Sequence, residues 1–199
     1  MTTNRAPRGQ TNHLGYAQIA GGFHATRYAT SRNRPMTHMV TINFDRLAIE
    51  EEAAGTVFRA LRARVSRAWR YASKTDRDLG SFDYFHVHEN PNNRSNVHWA
   101  VHLPAGYEKW FEHLIRDRLS KLSGGPCGSD EVRLTPVTTP GGMAKYMMKG
   151  ANPSFAKHFH LADWIADQGV VIGRRFGTSR SLGRSARKAN WSRKRKITS

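Results

Sequence analysis

The stretch that sets the architecture of this chain is residues 84 to 104, YFHVHENPNNRSNVHWAVHLP. Two runs rich in β-branched and aromatic residues, 81 to 89 and 96 to 103, flank the turn sequence NPNNRS, and Pro104 ends the second run. This pattern predicts two strands joined as an antiparallel hairpin. Histidine, glutamate and asparagine gather near the turn, and such a cluster is a candidate divalent-metal site.

The register of the hairpin decides which side chains share a face of the sheet. If Glu89 lies opposite Asn96, then Glu89, Asn96 and His98 lie on one face, because residues two apart on a strand point the same way. A slip of one residue would instead group His86, His88 and His98. The apolar residues of the second strand fit both registers, so the residues leave both ligand sets open. Divalent ions of the Mg²⁺ and Mn²⁺ type favour carboxylate oxygens and accept imidazole.

The rest of the chain divides by the period of its apolar residues. Alternation predicts strands over 36 to 44 and 131 to 137, whereas spacings of three and four predict helices over 48 to 72 and about 105 to 122. A short helix follows Thr139 and Pro140 and closes at Gly150. This order predicts an α+β fold with an antiparallel central sheet of about five strands flanked by helices.

Composition divides the chain into three parts. Residues 1 to 35 are rich in Gly, Thr, Asn and Arg with little periodicity, and they predict a flexible basic N-terminal arm. Residues 36 to 188 form the predicted domain, and residues 189 to 199 form a basic C-terminal tail, expected to be disordered in the free protein. No apolar run is long enough to cross a membrane, so we expect a cytoplasmic protein without a membrane partner.

The charge of the chain indicates a polyanionic partner. The net charge is +17, and no acidic residue follows Asp167. An excess of this size, concentrated toward one end, is typical of proteins that bind nucleic acid. The predicted DNA-binding residues are Arg174, Arg175, Arg180, Arg184, Arg187, Lys188, Arg193, Lys194, Arg195 and Lys196.

Tyr146 and Lys149 are a second group of candidate catalytic residues. They lie one helical turn apart, so both side chains are expected on nearly the same helix face. A phenol with an ordinary pKa is a poor nucleophile, and a nearby ammonium would favour its phenolate. A tyrosine, a lysine and a metal-like hairpin in one chain point to cleavage of a DNA strand.

From Met36 to Arg187 the chain resembles the HUH replication-initiator endonucleases of rolling-circle plasmids and phages. The resemblance rests on the first strand HMVTINF, on Glu89, on Asn96-Val97-His98 followed by WAVHLP, and on Tyr146-Met147-Met148-Lys149. The segments AKYMMKGANP and QGVVIGRRFGTSRSLGRSAR add to it. The chain departs from the family where Asn96 replaces the first histidine of the metal motif, although an asparagine carbonyl can still bind Mg²⁺ or Mn²⁺.

The resemblance implies an HUH-like domain with a catalytic Tyr146 and Lys149 and a metal site of Glu89, Asn96 and His98. His86 and His88 become the second choice, because a polar turn rather than an apolar strand follows them. It also implies metal-dependent nicking of single-stranded DNA at a replication origin, through a 5′-phosphotyrosyl intermediate. A host helicase and polymerase would complete rolling-circle replication.

Two other functions remain open from the sequence. One is a non-catalytic nucleic-acid-binding protein on the same fold, with a metal site degraded at Asn96. The other is a relaxase or transposase that uses the same chemistry.

Overall fold

A five-stranded antiparallel sheet forms the centre of the molecule. The computed structural model describes residues 9 to 197, with side chains described as far as Trp191. The strands in this part of the chain are β1 Gln10–Thr11, β2 His38–Asn43, β3 Tyr84–Glu89, β4 Asn96–Val101, β5 Val132–Pro136, β6 Val171–Ile172 and β7 Phe176–Thr178. The central sheet has the order β5-β2-β4-β3-β7, and β1 pairs with β6 in a separate two-stranded sheet.

Helices cover both faces of the central sheet. They are α1 Tyr16–Thr30, α2 Glu51–Thr75, α3 Glu108–Ser123, α4 Pro140–Met147, α5 Pro153–Ala156 and α6 Arg184–Ile197. The α+β fold with a helix-flanked antiparallel sheet is therefore confirmed. The predicted boundaries of the strands and of the helices α2 and α3 differ from the observed ones by a few residues.

Alternation along the strands creates two hydrophobic cores, one on each side of the sheet. In β4, Val97, Trp99 and Val101 face the first core, where α2 and α3 bring Phe58 and Phe111. Ala100 faces the second core, which also holds residues of β3, α1 and α4. Because both faces are covered, the side chains of β3 and β4 are buried on both sides of the sheet.

Helix α1 corrects the prediction that the first 35 residues form a flexible arm; residues 1 to 8 of that arm lie outside the described residues. Its buried residues, Ile19, Gly22, Ala25, Thr26 and Ala29, recur at helical spacing. Most of them are small, so the buried and exposed faces of the helix differ little in hydrophobicity and the helical period is easily missed in the sequence. They allow close packing instead: a Cβ at Gly22 would lie 2.5 Å from Cε of Met148.

Helix α6 also differs from the sequence-based expectation. The predicted tail, residues 189 to 199, was expected to be disordered, but the helix continues through it to Ile197. The side chains of Arg193, Lys194, Arg195 and Lys196 lie outside the described residues.

Ile19→Ala should lower the free energy of unfolding by about 2 to 5 kcal/mol, because it leaves a cavity in the second core. Ile19 is fully buried, whereas Arg27 on the same helix is exposed. Urea denaturation of the two alanine variants compares them directly. If Ile19→Ala unfolds as readily as Arg27→Ala and the parent protein, α1 is not part of the folded core.

Candidate active site

The hairpin adopts the register that groups Glu89 with Asn96 and His98. Glu89 pairs with Asn96, and His98 lies between Val87 of β3 and Thr41 of β2. Residues that pair directly across antiparallel strands point to the same face, so Glu89, Asn96 and His98 share the face that bears α1 and α4. This confirms the first of the two predicted registers.

The alternative ligands, His86 and His88, lie on the opposite face of the sheet. Both rings pack against Phe58 of α2, with ring centroids 4.8 Å and 5.1 Å from it. Tyr146 contacts His98 on the other side of the sheet. The structure therefore separates these two histidines from the candidate nucleophile, and the grouping of His86, His88 and His98 is wrong.

Helix α4 brings Tyr146 to the Glu89 face. Thr139 is its N-cap residue and Pro140 opens its first turn, as predicted, although the Thr139 side chain makes no capping hydrogen bond. Met147 and Met148 are fully buried in the second core, which fixes the rotation of the helix. Tyr146 is left partly exposed above the sheet.

Lys149 follows the helix in one further turn, since its N–H donates to the Tyr146 carbonyl at 3.2 Å. The next carbonyl, of Gly150, accepts a hydrogen bond from the N–H of Leu14 at 2.8 Å. Leu14 lies just before α1. The N-terminal segment thus holds the turn that carries Lys149.

Four side chains from β3, β4, α4 and the turn after α4 meet in one cluster. Nζ of Lys149 lies 2.8 Å from Oε2 of Glu89 and 3.4 Å from Nε2 of His98. Oε2 of Glu89 lies 3.2 Å from the same His98 nitrogen. Tyr146 Oη lies 3.5 Å from Nε2 of His98, and the Lys149 ammonium lies 3.9 Å from the centroid of the Tyr146 ring. Residues predicted to act together are therefore in contact.

The charge of Glu89 is maintained by its neighbours. Burial by itself raises the pKa of this carboxyl group, but the hydrogen bond and charge of His98, together with the Lys149 ammonium, outweigh it. The pKa of Glu89 consequently lies below its ordinary value. The buried Glu89 side chain is therefore held as a carboxylate beside Lys149.

Thr41 is a member of the site that sequence reasoning missed. Its Oγ1 lies 3.1 Å from Nδ1 of His98, so the hydroxyl fixes the orientation of the ring and leaves Nε2 toward Glu89 and Tyr146. Thr41 could be identified only once the pairing of β2 with β4 was known, because it lies opposite His98 in the neighbouring strand.

The donor atoms near the hairpin turn fit a hard divalent cation. Oε1 of Glu89 and Oδ1 of Asn96 are buried without a hydrogen-bond partner, and these residues lie directly opposite each other. Carboxylate and amide oxygens with one imidazole are donors that Mg²⁺ and Mn²⁺ accept. Among the described residues no group of three or more His, Cys, Asp or Glu forms a metal site, so Asn96 would have to supply a ligand.

A groove of about 340 Å³ opens beside Tyr146. Apolar side chains of Met39, Met143 and Trp164 line it, with Thr135, Thr138 and Thr139 contributing hydroxyl groups. Trp164 is 41% exposed, which leaves part of its ring available for stacking. Met39, within the first predicted strand, and Trp164, in the 3-10 turn Ala162–Trp164, had no sequence signal that placed them beside Tyr146.

The predicted DNA-binding arginines differ in their environments. Arg174, Arg180 and Arg184 are exposed, as is Lys188, while Arg187 is half-buried and donates to the Leu182 carbonyl at 2.6 Å.

Arg175 is a correction to this set, because it is only 1% exposed. Its guanidinium group donates to the carbonyls of Thr11 and Gly169, and so joins the N-terminal segment to the loop before β6. A guanidinium group held inside the protein is not available to a DNA phosphate.

Comparison of the chain with protein-family models, with curated proteins and with solved structures finds no match. The geometry of the described residues therefore carries the functional argument. None of the helices in residues 9 to 197 has the length and apolar character needed to cross a membrane.

His88 should make folding sensitive to acid. Burial, and then the charges of Arg62 and Arg175, lower its pKa from 6.5 to about 4. Between these values the unfolded chain binds a proton that the folded chain does not, so the free energy of unfolding falls as the pH is lowered through this range. The contribution of this residue is at most about 3 kcal/mol.

Urea denaturation between pH 4 and 7 tests this expectation in the parent protein and in His88→Asn. The variant should lose less stability on acidification than the parent protein does. If the free energy of unfolding falls equally with pH in the two proteins, His88 is not buried as a neutral ring.

Proposed function

We propose that this protein nicks single-stranded DNA by metal-assisted transesterification, with Tyr146 as the nucleophile, to initiate rolling-circle replication. The observation that carries the proposal is the contact of Tyr146 Oη with His98 at 3.5 Å, within a cluster that also contains Glu89 and Lys149. The strands β3 and β4, the helix α4 and the turn after it supply these side chains. A solvent-accessible phenol beside a buried carboxylate, a histidine and an ammonium suits attack on a phosphodiester.

In the proposed reaction the phenolic oxygen forms a bond to phosphorus while the bond from phosphorus to the 3′ oxygen breaks. A 5′-phosphotyrosyl link and a free 3′-hydroxyl result. The phenol loses one proton and the leaving 3′ oxygen gains one, so the step needs no net proton. Because a phosphodiester replaces a phosphodiester, no nucleotide cofactor is required.

Each side chain of the cluster has a role in this scheme. Lys149, which lies over the Tyr146 ring, favours the developing phenolate and the negative charge of the phosphate. Glu89, Asn96 and His98 would hold Mg²⁺ or Mn²⁺, and the bound ion would polarise the scissile phosphate. Thr41 positions the His98 ring.

The surroundings of the cluster support a single-stranded substrate. The groove beside Tyr146 has the size and apolar lining to receive a base next to the scissile phosphate, and Trp164 offers a ring for stacking. The net charge of +17 favours a polyanion. An origin of replication would be the target, with a helicase and a polymerase supplied by the host.

A second function is favoured by one specific contact. The Lys149 ammonium lies 2.8 Å from Glu89, so a cation already neutralises the carboxylate that would bind the metal. With a neutral Asn96 as a further ligand, this arrangement also suits a protein that binds single-stranded DNA without cutting it.

Tyr146→Phe should abolish the covalent adduct between protein and DNA, because the phenyl ring keeps the packing but has no nucleophilic oxygen. The assay incubates labelled single-stranded DNA containing a cleavable site with Mn²⁺ and separates adducts on a denaturing gel. Binding of the DNA, measured by a mobility shift, should weaken by about tenfold at most, as one lost hydroxyl contact is worth roughly 0.5 to 1.5 kcal/mol.

Tyr71→Phe is the matched control, since Tyr71 is 76% exposed on α2, which packs on the face of the sheet opposite α4. This variant should form the adduct at the rate of the parent protein. An adduct that persists in Tyr146→Phe would rule out Tyr146 as the nucleophile, and full cleavage in EDTA would rule out metal assistance. DNA binding without any adduct in the parent protein would support the non-catalytic function.

Thr41→Val should reduce the rate of nicking by about 10- to 100-fold at limiting Mn²⁺, the usual cost of losing a group that orients a metal-ligating histidine. Valine keeps the shape and the strand preference but removes the hydroxyl that contacts His98. The informative readout is the Mn²⁺ concentration for half-maximal rate, which should rise. A reduced rate with an unchanged Mn²⁺ dependence would contradict a role in positioning His98.

A further inference from the structure

A second concave site lies on the face of the sheet opposite Tyr146. It is a cavity of about 300 Å³ between α2, β3 and the segment between β6 and β7. The buried rings of Phe58, His86 and His88 line its inner part. Arg62 is half-buried in its wall, and three exposed residues, Glu52, Arg59 and Arg174, lie at its rim. The cavity shares no lining residue with the groove beside Tyr146.

The cationic groups of this cavity are not neutralised by the protein. Among the described residues, Arg59, Arg62 and Arg174 form no salt bridge with a carboxylate. Nη2 of Arg59 donates to Thr56, and Nη1 of Arg62 donates to Tyr84 at 3.2 Å. The one carboxylate at the rim, Glu52, is exposed and leaves an excess of positive charge.

Two buried nitrogen atoms here lack a hydrogen-bond partner. They are Nδ1 of His86 and Nε of Arg62. His86 is only 3% exposed, and the Arg62 guanidinium is packed over the Phe58 ring at 5.4 Å. Leaving such groups unpaired is costly, about 1 to 3 kcal/mol each, and a ligand with several acceptor atoms would satisfy them.

We propose that this cavity binds a terminal phosphate group of a nucleotide, either free or at the 5′ end of a DNA strand. A phosphate offers several acceptor oxygens to the three arginines and to a histidine N–H at once. The cavity is at the small end of ligand-sized pockets, which suits one nucleotide rather than a long segment of strand. The site is independent of the proposed nicking reaction, because it shares no residue with the Tyr146 cluster.

Isothermal titration of the full chain tests the site with thymidine 5′-monophosphate and, as the probe without phosphate, thymidine. The monophosphate should bind and thymidine should not. Arg62→Met keeps the aliphatic stem but removes the guanidinium group, and it should weaken binding of the monophosphate about tenfold or more. Arg64→Met, an exposed position on the same helix outside the cavity, is the matched control and should change affinity less than about twofold.

Tetrathymidylate with and without a 5′-phosphate separates the two sources of the ligand. Preference for the phosphorylated form assigns the site to the end of a strand, whereas binding of the mononucleotide alone assigns it to a free nucleotide. Equal binding of thymidine and its monophosphate, absence of monophosphate binding, or equal losses in Arg62→Met and Arg64→Met would overturn the proposal.

Circular dichroism identifies a variant that fails to fold. If Arg62→Met does so, Arg174→Met decides, because Arg174 is exposed at the rim and its replacement leaves the core intact. A normal affinity in Arg174→Met would then overturn the phosphate site.

Discussion

The pairing of Glu89 with Asn96 is the constraint on which the two candidate sites depend. Side chains alternate along a strand, so a shift of one residue would move every side chain of β3 to the other face relative to β4. In the observed register Glu89 and His98 face α4, while His86 and His88 face α2. The shift is unfavourable because it would move the buried Glu89 to the face that α2 covers, away from Lys149 and His98.

Burial of Glu89 is tolerated because the fold places His98 and Lys149 beside its carboxylate. A carboxylate at 2% exposure is costly, and the loss of a partner from such a pair commonly costs about 3 to 5 kcal/mol. Lys149 supplies the opposite charge from the turn after α4. That turn is placed by the buried Met147 and Met148 and by the close approach of α1 at Gly22. The second core therefore maintains the charges of the cluster, although none of its apolar groups takes part in chemistry.

Sequence patterns predicted the elements that have strong local signals. The alternation of residues on either side of the NPNNRS turn predicted the hairpin. Thr139 and Pro140 at the start of α4 predicted the helix that carries Tyr146. Features that depend on tertiary contacts were missed. The buried face of helix α1 consists mostly of small residues, which matter because they allow close packing. Arg175 is charged but buried, and it donates to the carbonyl of Thr11, which is distant in the sequence. The role of Thr41 followed from strand pairing alone, and the Lys149–Glu89 contact joins residues that local patterns do not relate.

The charges of the cluster bear on how a metal ion and DNA would bind in the proposed reaction. Glu89 and Lys149 neutralise each other, and Asn96 adds a donor oxygen without charge. A divalent cation entering this site would leave a net positive charge in a largely buried place, which is unfavourable without a further anion. The scissile phosphate is such an anion. Metal and DNA would therefore be expected to bind cooperatively, with Lys149 available to contact the phosphate if a bound ion neutralised Glu89. A neutral histidine in place of Asn96 would, like asparagine, add a donor atom without charge. The expected cooperativity between metal and DNA therefore depends on Glu89, the one carboxylate of the cluster, and on its ion pair with Lys149.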